Sequence, residues 1–395
     1  MTSPPIAEGA VALDGDGVVV AVGPRSDVRA AWPRTDEERS DGALLPALVN
    51  AHTHLELSQL ADPIPGGDGV IAWTGRLMKT LRDRPFEGDA YLAALEAART
   101  AVDLGTAALG DVGNGVVGWR AMDAAGLSGL FFHELVGSRE QRTGDALADA
   151  ASERDALADP PRIPAVPAPH APYSVGPALF RRIFAAAAIT GQPTSIHLAE
   201  DADEVALLAT GEGGWPAILR GLGVAPEDRV PRLGPCAYLE SLGAFAGGVA
   251  PLLVHMVHAS VDDRRRARAA GATIVLCPRS NLHIGGRLPD VPALLADEVR
   301  LAIGTDSLAS VPDLSVWAEL GVLAKHFPTV PARTWLAAAT SGGARALGLA
   351  RLGALEVGRR PGLLAVGLPP GERDPEGALV HNPPPPSSIT WIARA

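Results

Sequence analysis

The sequence contains very little lysine and cysteine. Among its 395 residues, lysine occurs only at Lys79 and Lys325. The two cysteines, Cys236 and Cys277, are too few for a disulfide framework and suit a reducing compartment. Acidic residues outnumber basic ones by 45 to 34, which gives a formal net charge of -11. Because nucleic-acid-binding proteins usually carry basic patches, this balance argues against a nucleic-acid partner.

Long apolar runs are also missing. No stretch of about 18 apolar residues without charges occurs, so we expect no membrane span. The first residues do not combine a basic segment with an apolar one, as a secretory signal does, and we therefore expect a cytoplasmic protein. No GxGxxG pattern follows the first strand, which argues against a dinucleotide-binding sheet.

Eight short apolar runs alternate with helical patterns through the middle of the chain. The predicted strands span residues 43–51, 106–112, 127–135, 162–168, 193–199, 250–257, 272–278 and 299–305. This alternation is typical of an α/β protein with a parallel (β/α)8 TIM-like barrel, and an open doubly wound sheet is the alternative. We assign residues 46–351 to the barrel. The Gly- and Pro-rich chain ends, residues 1–45 and 352–395, would together form one small composite β domain.

Polar residues cluster at the carboxyl ends of these predicted strands, where (β/α)8 barrels hold their chemistry. His52 and His54 are two residues apart, so both side chains would point to the same face of a strand. Two further strand ends supply His197 and Asp306. Three imidazoles and one carboxylate that leave a coordination position open would suit a catalytic zinc, iron or manganese ion.

Each of these residues also has an alternative role when it is taken alone. An HxH pair can be two hydrogen-bonded histidines in a turn, and the pattern also occurs in metal-dependent phosphoesterases. His197 could be a core histidine, and Asp306 could cap the helix that follows it. We favour the metal site because all four residues fall at predicted strand ends.

Six segments resemble the metal-dependent amidohydrolase superfamily, in the order in which that family has them. They are LLPALVNAHTHLELS (44–58), APHAPYSVGP (168–177), SIHLAE (195–200), LLVHMVHAS (252–260), VLCPRSNLHIGG (275–286) and LAIGTDSLAS (301–310). Binuclear members often bridge two metals with a carboxylated lysine on strand 4, where this chain has His170 instead. The resemblance therefore implies the mononuclear deaminase branch with one divalent ion, zinc first, and iron or manganese as alternatives.

The resemblance also implies roles for the residues around that ion. Asp306 would bind the ion and take a proton from the attacking water, and His255 would orient that water. Glu200 would move protons to a ring nitrogen and to the leaving amine. Residues that would contact the substrate are His170, Trp73, Glu134 and Asn281. A core position for Trp73, a turn for Asn281 and an arginine partner for Glu134 are the alternatives, and His258 would be structural.

The segment NAHTHLELS, followed by IAW, is similar to the deaminases of adenine nucleosides. This similarity implies hydrolysis of the 6-amino group of an adenine nucleoside. Aminodeoxyfutalosine is the leading candidate substrate, and adenosine, methylthioadenosine or adenosylhomocysteine are the next candidates. Guanine, cytosine or triazine hydrolysis and imidazolone ring opening are alternatives on the same barrel. A metal-free binding protein is a different class, which the presence of all the ligand residues disfavours. The expected partners are a small-molecule substrate and a second copy in a homodimer, without nucleic acid or membrane.

Overall fold

A computed structural model describes residues 4–60, 63–83, 90–137 and 143–395. The strands are β1 (Gly9–Leu13), β2 (Val19–Pro24), β3 (Ala43–Pro46), β4 (Leu48–Thr53), β5 (Thr106–Gly113), β6 (Ser128–Leu135), β7 (Ala165–Pro169), β8 (Ser195–Leu198), β9 (Leu252–His255), β10 (Thr273–Leu276), β11 (Arg300–Ile303), β12 (Leu363–Val366) and β13 (Ile389–Ala393).

Helices occupy most of the connections between these strands. They are α1 (Arg25–Ala31), α2 (Val70–Asp83), α3 (Ala90–Asp103), α4 (Val117–Ala124), α5 (Thr143–Asp155), α6 (Pro177–Thr190), α7 (Ala202–Thr210), α8 (Trp215–Gly221), α9 (Pro235–Ser241), α10 (Val261–Ala270), α11 (Pro278–Gly285), α12 (Val291–Ala296), α13 (Val316–His326), α14 (Ala332–Ala337), α15 (Gly343–Ala346) and α16 (Pro375–His381). Within the described ranges, none of these helices combines the length and apolar character that crossing a membrane requires.

The strands β4 to β11 form two parallel four-stranded sheets, ordered β4-β5-β6-β7 and β11-β10-β9-β8. The sheets meet at two seams and not in one continuous ladder. At one seam the N–H of His197 donates to the carbonyl of His170 at 3.0 Å. At the other, the N–H groups of Thr305 and Asp306 donate to the carbonyl of His52 at 3.0 and 3.1 Å. The carboxyl ends of strands from both sheets are therefore brought together at one edge.

The first predicted strand, residues 43–51, is two strands in two different sheets. β3 pairs antiparallel with β12, whereas β4 pairs parallel with β5, and Ala47 lies between them. The prediction of one continuous strand was therefore wrong. The segment is apolar almost throughout, and such a run fits either kind of buried strand, so its pattern contains no sign of the break.

The two chain ends form short antiparallel strands. β1 and β2 form a hairpin, and Gly17 in its turn has a φ of 77°. β3, β12 and β13 form a three-stranded sheet. The N–H of Val19 donates to the carbonyl of Arg359 at 2.8 Å, and the N–H of Gly358 donates back to Val19 at 2.9 Å. These two bonds join the N-terminal hairpin to the C-terminal segment.

Side-chain alternation along the parallel strands places polar groups above a filled interior. Leu130 and Phe132 of β6 lie in one buried apolar cluster, and Glu134 follows two residues later. In the same way Val166 and Ala168 of β7 lie in that cluster, and residue 170 follows them. Because residues two apart share a face of a strand, the last residue of each series projects over the apolar packing below it. The candidate site therefore rests on a packed core.

Candidate active site

The four predicted metal ligands converge at the joined strand ends. His52 lies in β4, His54 directly follows it, His197 lies in β8 and Asp306 follows β11. The Nε2 atoms of His54 and His197 are 3.3 Å apart. The Oδ1 atom of Asp306 lies 3.6 Å from Nε2 of His54 and 3.9 Å from Nε2 of His52. One ring nitrogen from each histidine lies within 4.8 Å of the other two, a spacing that allows one shared ion.

The protonation of these histidines fits a divalent metal ion. His52 is fully buried, and neither of its ring nitrogens has a hydrogen-bond partner among the described residues. Burial, and then the neighbouring His54, lowers the pKa of His52 well below its usual range, so the ring is neutral. The Nδ1–H of His197 donates to the carbonyl of His170 at 3.1 Å, which leaves Nε2 as the free nitrogen. A neutral imidazole with a free nitrogen is a suitable ligand for zinc.

One serine hydroxyl holds the Asp306 carboxylate, and a second lies near the same oxygen. The Oγ of Ser280 donates to Oδ2 at 2.5 Å, and the Oγ of Ser310 lies 3.4 Å from the same oxygen. Oδ1 is the oxygen that faces the histidines. Neither serine was predicted from the sequence, although Ser280 directly precedes Asn281 in the PRSN segment. Asp306 does not cap the next helix, because Ser315 caps α13.

Glu200 and His255 form a pair beside the candidate ligands. The Nε2 atom of His255 lies 3.7 Å from Oε1 of Glu200. The Asn281 amide donates to Nδ1 of His255 at 2.9 Å, which leaves the proton of the neutral ring on Nε2. Burial lowers the pKa of His255 to about 4. Burial, followed by the charge of Asp306, raises the pKa of Glu200 well above its usual range. Both shifts favour the uncharged forms, a carboxylic acid at Glu200 and a neutral imidazole at His255.

The turn that carries Glu200 is held by Glu204, a residue that was not predicted from the sequence. The two carboxylate oxygens of Glu204 accept the N–H of Ala199 at 2.9 Å and the N–H of Glu200 at 3.2 Å. Ala199 has a φ of 49°, a left-handed conformation that costs a non-glycine residue about 1–2 kcal/mol. Glu204 thus fixes a strained turn directly before the proposed proton donor.

Backbone strain is concentrated at this edge of the sheets. His255, Met256 and Asp306 have φ values of 73°, 51° and 62°. Conformations of this kind cost on the order of 1–3 kcal/mol each and persist only where the surrounding structure imposes them. Together with Ala199, these residues make up four of the seven non-glycine residues with positive φ in the described chain. Such concentration is typical of a functional site.

His170 lies beside the ligand set with one free nitrogen. Its ring centroid is 5.0 Å from that of His197. The Ser174 hydroxyl donates to the carbonyl of Ala171 at 3.1 Å, so it accepts from Nδ1–H of His170 at 2.6 Å. The Nε2 atom of His170 is therefore available to a ligand. Burial lowers the pKa of this ring to about 4, which keeps it neutral.

Glu134 also borders the ligand set. Its Oε1 atom lies 3.6 Å from Nδ1 of His197, and its Oε2 accepts from the Asn114 amide at 3.2 Å. Burial, and then the charge of Glu56, raises its pKa to about 8. No arginine of the described chain lies within 4.0 Å of this carboxyl group. Glu134 is therefore an uncharged hydrogen-bonding group at neutral pH, and it does not take the arginine partner considered from the sequence.

The other two predicted contact residues differ in their surroundings. Asn281 lines a cavity next to Glu200 and contacts His255. Trp73 belongs to an apolar cluster with Tyr173 and Trp215 and is 8% exposed. The structure thus brings the other predicted site residues to the strand ends and packs Trp73 into this apolar cluster.

The fold and the histidine cluster together define an amidohydrolase. Residues 43–388 match the model of the Amidohydrolase family, which is most of the chain. The chain belongs to this family, and the family together with its structural relatives gives the two sheets the architecture of a TIM-like barrel. The resemblance seen in the sequence is thereby confirmed.

Deaminases are prominent among the similar proteins. The chain is 33% identical over 354 residues to aminodeoxyfutalosine deaminase from Deinococcus radiodurans, covering 86% of this chain and 81% of the relative. It is 30% identical over 386 residues to 5-methylthioadenosine/S-adenosylhomocysteine deaminase from Moorella thermoacetica, covering 93% and 83%.

Solved structures agree over almost the whole chain. Aminofutalosine deaminase from Helicobacter pylori, in complex with methylthio-coformycin, matches with a TM-score of 0.83 and 22% identity, covering 98% of this chain and 93% of that one. An adenosine deaminase from Xanthomonas campestris with bound zinc matches with a TM-score of 0.78 and 27% identity, covering 98% and 88%.

Proposed function

We propose that the protein is a metal-dependent aminohydrolase that removes the 6-amino group of an adenine nucleoside as ammonia. Aminodeoxyfutalosine is the first substrate to test, and adenosine, methylthioadenosine and adenosylhomocysteine follow. The observation that carries this proposal is the convergence of the four ligand residues beside the Glu200–His255 pair. Similarity to deaminases of aminodeoxyfutalosine and of methylthioadenosine supports an adenine-bearing substrate.

One divalent ion would be held by His52, His54, His197 and Asp306. Zinc is the first choice, supported by the zinc in the adenosine deaminase relative, with iron or manganese as alternatives. A bound ion of this kind lowers the pKa of a coordinated water to about 7 and so supplies a nucleophile at neutral pH.

The protein groups would then move the protons. Asp306 accepts a proton from the attacking water, and the Nε2–H of His255 orients that water. Glu200, whose protonated form burial favours, donates to N1 of the adenine ring. As the C6–N bond breaks, the protons taken from the water reach the leaving amine and restore Glu200. Ammonia leaves, and the product keeps a proton on N1 and a carbonyl group at C6.

Four residues would surround the nucleoside. His170 offers its free Nε2 to the base, and the protonated carboxyl group of Glu134 donates to a ribose hydroxyl. Asn281 holds His255 and borders the substrate cavity. Trp73, a buried residue of α2, would shape the wall of the site rather than stack on the base.

The domain organisation is a further part of the proposal. Residues 46–351 would form the barrel, and residues 1–45 with 352–395 would form one composite β unit. Two observations support this division. The sheet β3-β12-β13 combines strands from both ends of the chain, and two backbone hydrogen bonds join Val19 to Gly358 and Arg359. That the protein forms a homodimer remains a prediction from the sequence.

Ammonia release by the zinc-loaded protein tests the function. The substrate panel contains aminodeoxyfutalosine, adenosine, methylthioadenosine, S-adenosylhomocysteine, guanine and cytosine, and the chelator-treated protein serves as the control. We expect one adenine compound to be hydrolysed far faster than the others. Zinc-bound protein that releases no ammonia from any of the six would contradict the proposal and favour ring opening or another leaving group.

A further inference from the structure

The first turn of α11 carries two residues that hold groups of the candidate site. Ser280 and Asn281 are consecutive in this turn, and both are buried. The Ser280 hydroxyl donates to Oδ2 of Asp306 at 2.5 Å, and the Asn281 amide donates to Nδ1 of His255 at 2.9 Å. The placement of a proposed metal ligand and of the proposed water-orienting residue therefore depends on the same short segment.

Both residues that this turn holds have an unfavourable backbone conformation. The φ values are 73° at His255 and 62° at Asp306, in the left-handed region that non-glycine residues rarely adopt. Such conformations persist only where the surrounding structure imposes them. A displacement of the first turn of α11 would therefore affect two strained residues at once.

The start of α11 is capped by a carboxylate from another helix. Glu319 is a fully buried residue in the first turn of α13, and its Oε2 accepts the N–H of Arg279 at 2.9 Å. The first N–H groups of a helix have no acceptor within the helix, and a helix N-terminus favours a negative charge. Glu319 meets both requirements for the turn that contains Ser280 and Asn281.

The guanidinium of Arg279 joins this carboxylate to the segment before α13. Its Nε donates to Oε1 of Glu319 at 2.6 Å. Its Nη1 donates to Oδ1 of Asp313 at 2.8 Å, and its Nη2 donates to the carbonyl of Asp313 at 2.7 Å. Burial raises the pKa of Glu319, and the charge of Arg279 opposes that rise. Arg279 therefore favours the ionised form of the capping carboxylate and fixes its position.

We propose that Arg279 and Glu319 are positioning residues, because they fix the turn that holds the metal-binding carboxylate and the water-orienting histidine. The hydrogen bonds of the pair lie between α11 and α13, so the pair acts through the side chains of Ser280 and Asn281. The inference rests on the proposed function for its effect on turnover, whereas its effect on zinc affinity can be measured without any turnover.

The first test replaces Arg279 by methionine, which removes the guanidinium and keeps much of the apolar length of the side chain. We expect zinc to bind about tenfold more weakly, because Asp306 is held less firmly. We expect kcat with excess zinc to fall about tenfold at unchanged KM, because His255 is displaced and no substrate contact is lost. Chelator competition measures the affinity on protein whose fold circular dichroism has verified.

Arg264→Met is the matched control. Arg264 of α10 forms an ion pair with Asp297 at 2.7 Å, and its side chain is 13% exposed, against 12% for Arg279. Asp297 directly follows α12, so this pair lies outside the contacts that hold the first turn of α11. We expect the control to leave zinc affinity and kcat unchanged. Equal losses in the two variants would reflect the loss of any buried ion pair and would overturn the inference.

A double-mutant cycle separates positioning from general stabilisation. If Arg279 acts through Ser280, then adding Arg279→Met to Ser280→Ala should weaken zinc binding much less than it does in the wild type, because the bond to Asp306 is already absent. Residues that act independently have additive effects. Additive losses of zinc affinity in the double variant would therefore overturn the inference.

Arg279→Lys is used if the methionine variant does not fold. Lysine keeps a positive charge beside Glu319 but lacks the planar fork that also reaches Asp313. We expect a smaller loss of zinc affinity with the same dependence on Ser280, and wild-type affinity in this variant would overturn the inference.

The two proposals fail in different ways. Unchanged zinc affinity in Arg279→Met, with ammonia still released by the wild type, would overturn this inference and leave the proposed function intact. If the affinity falls through Ser280 but the wild type releases no ammonia, the positioning role stands and the deaminase proposal fails.

Discussion

Replacing Ser280 by alanine tests how the Asp306 carboxylate is held. The Ser280 hydroxyl donates to Oδ2 at 2.5 Å in a fully buried position, while Oδ1 faces His54 and His52. Alanine removes this bond and leaves the carboxylate free to rotate away from the histidines. Ser310, at 3.4 Å from the same oxygen, is too distant to replace the lost bond in full.

The size of the effect follows from the kind of bond that is lost. A hydrogen bond to a charged group contributes about 1.5–3 kcal/mol, which corresponds to roughly 10- to 160-fold in an equilibrium constant. Loss of groups that orient metal ligands costs about 10- to 100-fold in metal affinity, which agrees with this range. We therefore expect Ser280→Ala to bind zinc about 10- to 100-fold more weakly than the wild type.

Zinc affinity is measured by competition with a chromophoric chelator, and kcat is measured with excess zinc present. Ser310→Ala is the matched control, because it removes a hydroxyl group that faces the same oxygen at a longer distance. Its zinc affinity should change less than threefold, since a bond of this length is weak. Equal losses in both variants, or wild-type affinity in Ser280→Ala, would refute the assignment of Ser280 as the residue that orients Asp306.

Three other predictions concern the carboxyl groups of the site. Glu200→Gln should lower kcat about 10²- to 10⁴-fold at unchanged zinc content, because it removes the proton donor; near-normal turnover would exclude that role. Glu204→Ala should lower the free energy of unfolding by about 2–4 kcal/mol and kcat about tenfold, since one buried and one partly buried N–H group lose their acceptor. Urea unfolding and kcat check this against the exposed control Glu212→Ala. Glu134 donates a proton only below its pKa of about 8, so KM should rise as the pH increases through that value. A Glu134→Gln variant with the same pH dependence would assign the rise to another group.

The candidate ligands could be predicted from the sequence because parallel strands impose a common edge. His52, His197 and Asp306 are far apart in the chain, yet each follows or ends an apolar run, and the carboxyl ends of such strands meet. The strand pattern therefore predicted that these side chains would lie close together.

The residues that orient those ligands could not be predicted in the same way. Ser280 and Glu204 are ordinary polar residues in the sequence, and their importance depends on which buried group each one faces. Trp73 shows the opposite case, because an aromatic residue near the predicted site is packed into an apolar cluster. The break at Ala47 also escaped prediction, since an apolar run does not specify which sheet it joins.

The left-handed turn at Ala199 has a consequence for directed evolution. Glycine adopts a φ of 49° without the penalty of about 1–2 kcal/mol that alanine incurs, although the greater freedom of glycine in the unfolded chain offsets part of that gain. Ala199→Gly would also loosen the segment that presents Glu200. A library screened for heat resistance would therefore tolerate or enrich glycine at this position, whereas a library screened for turnover would retain alanine. The two screens would select different residues at this turn but the same kinds of residue in the apolar interior below it.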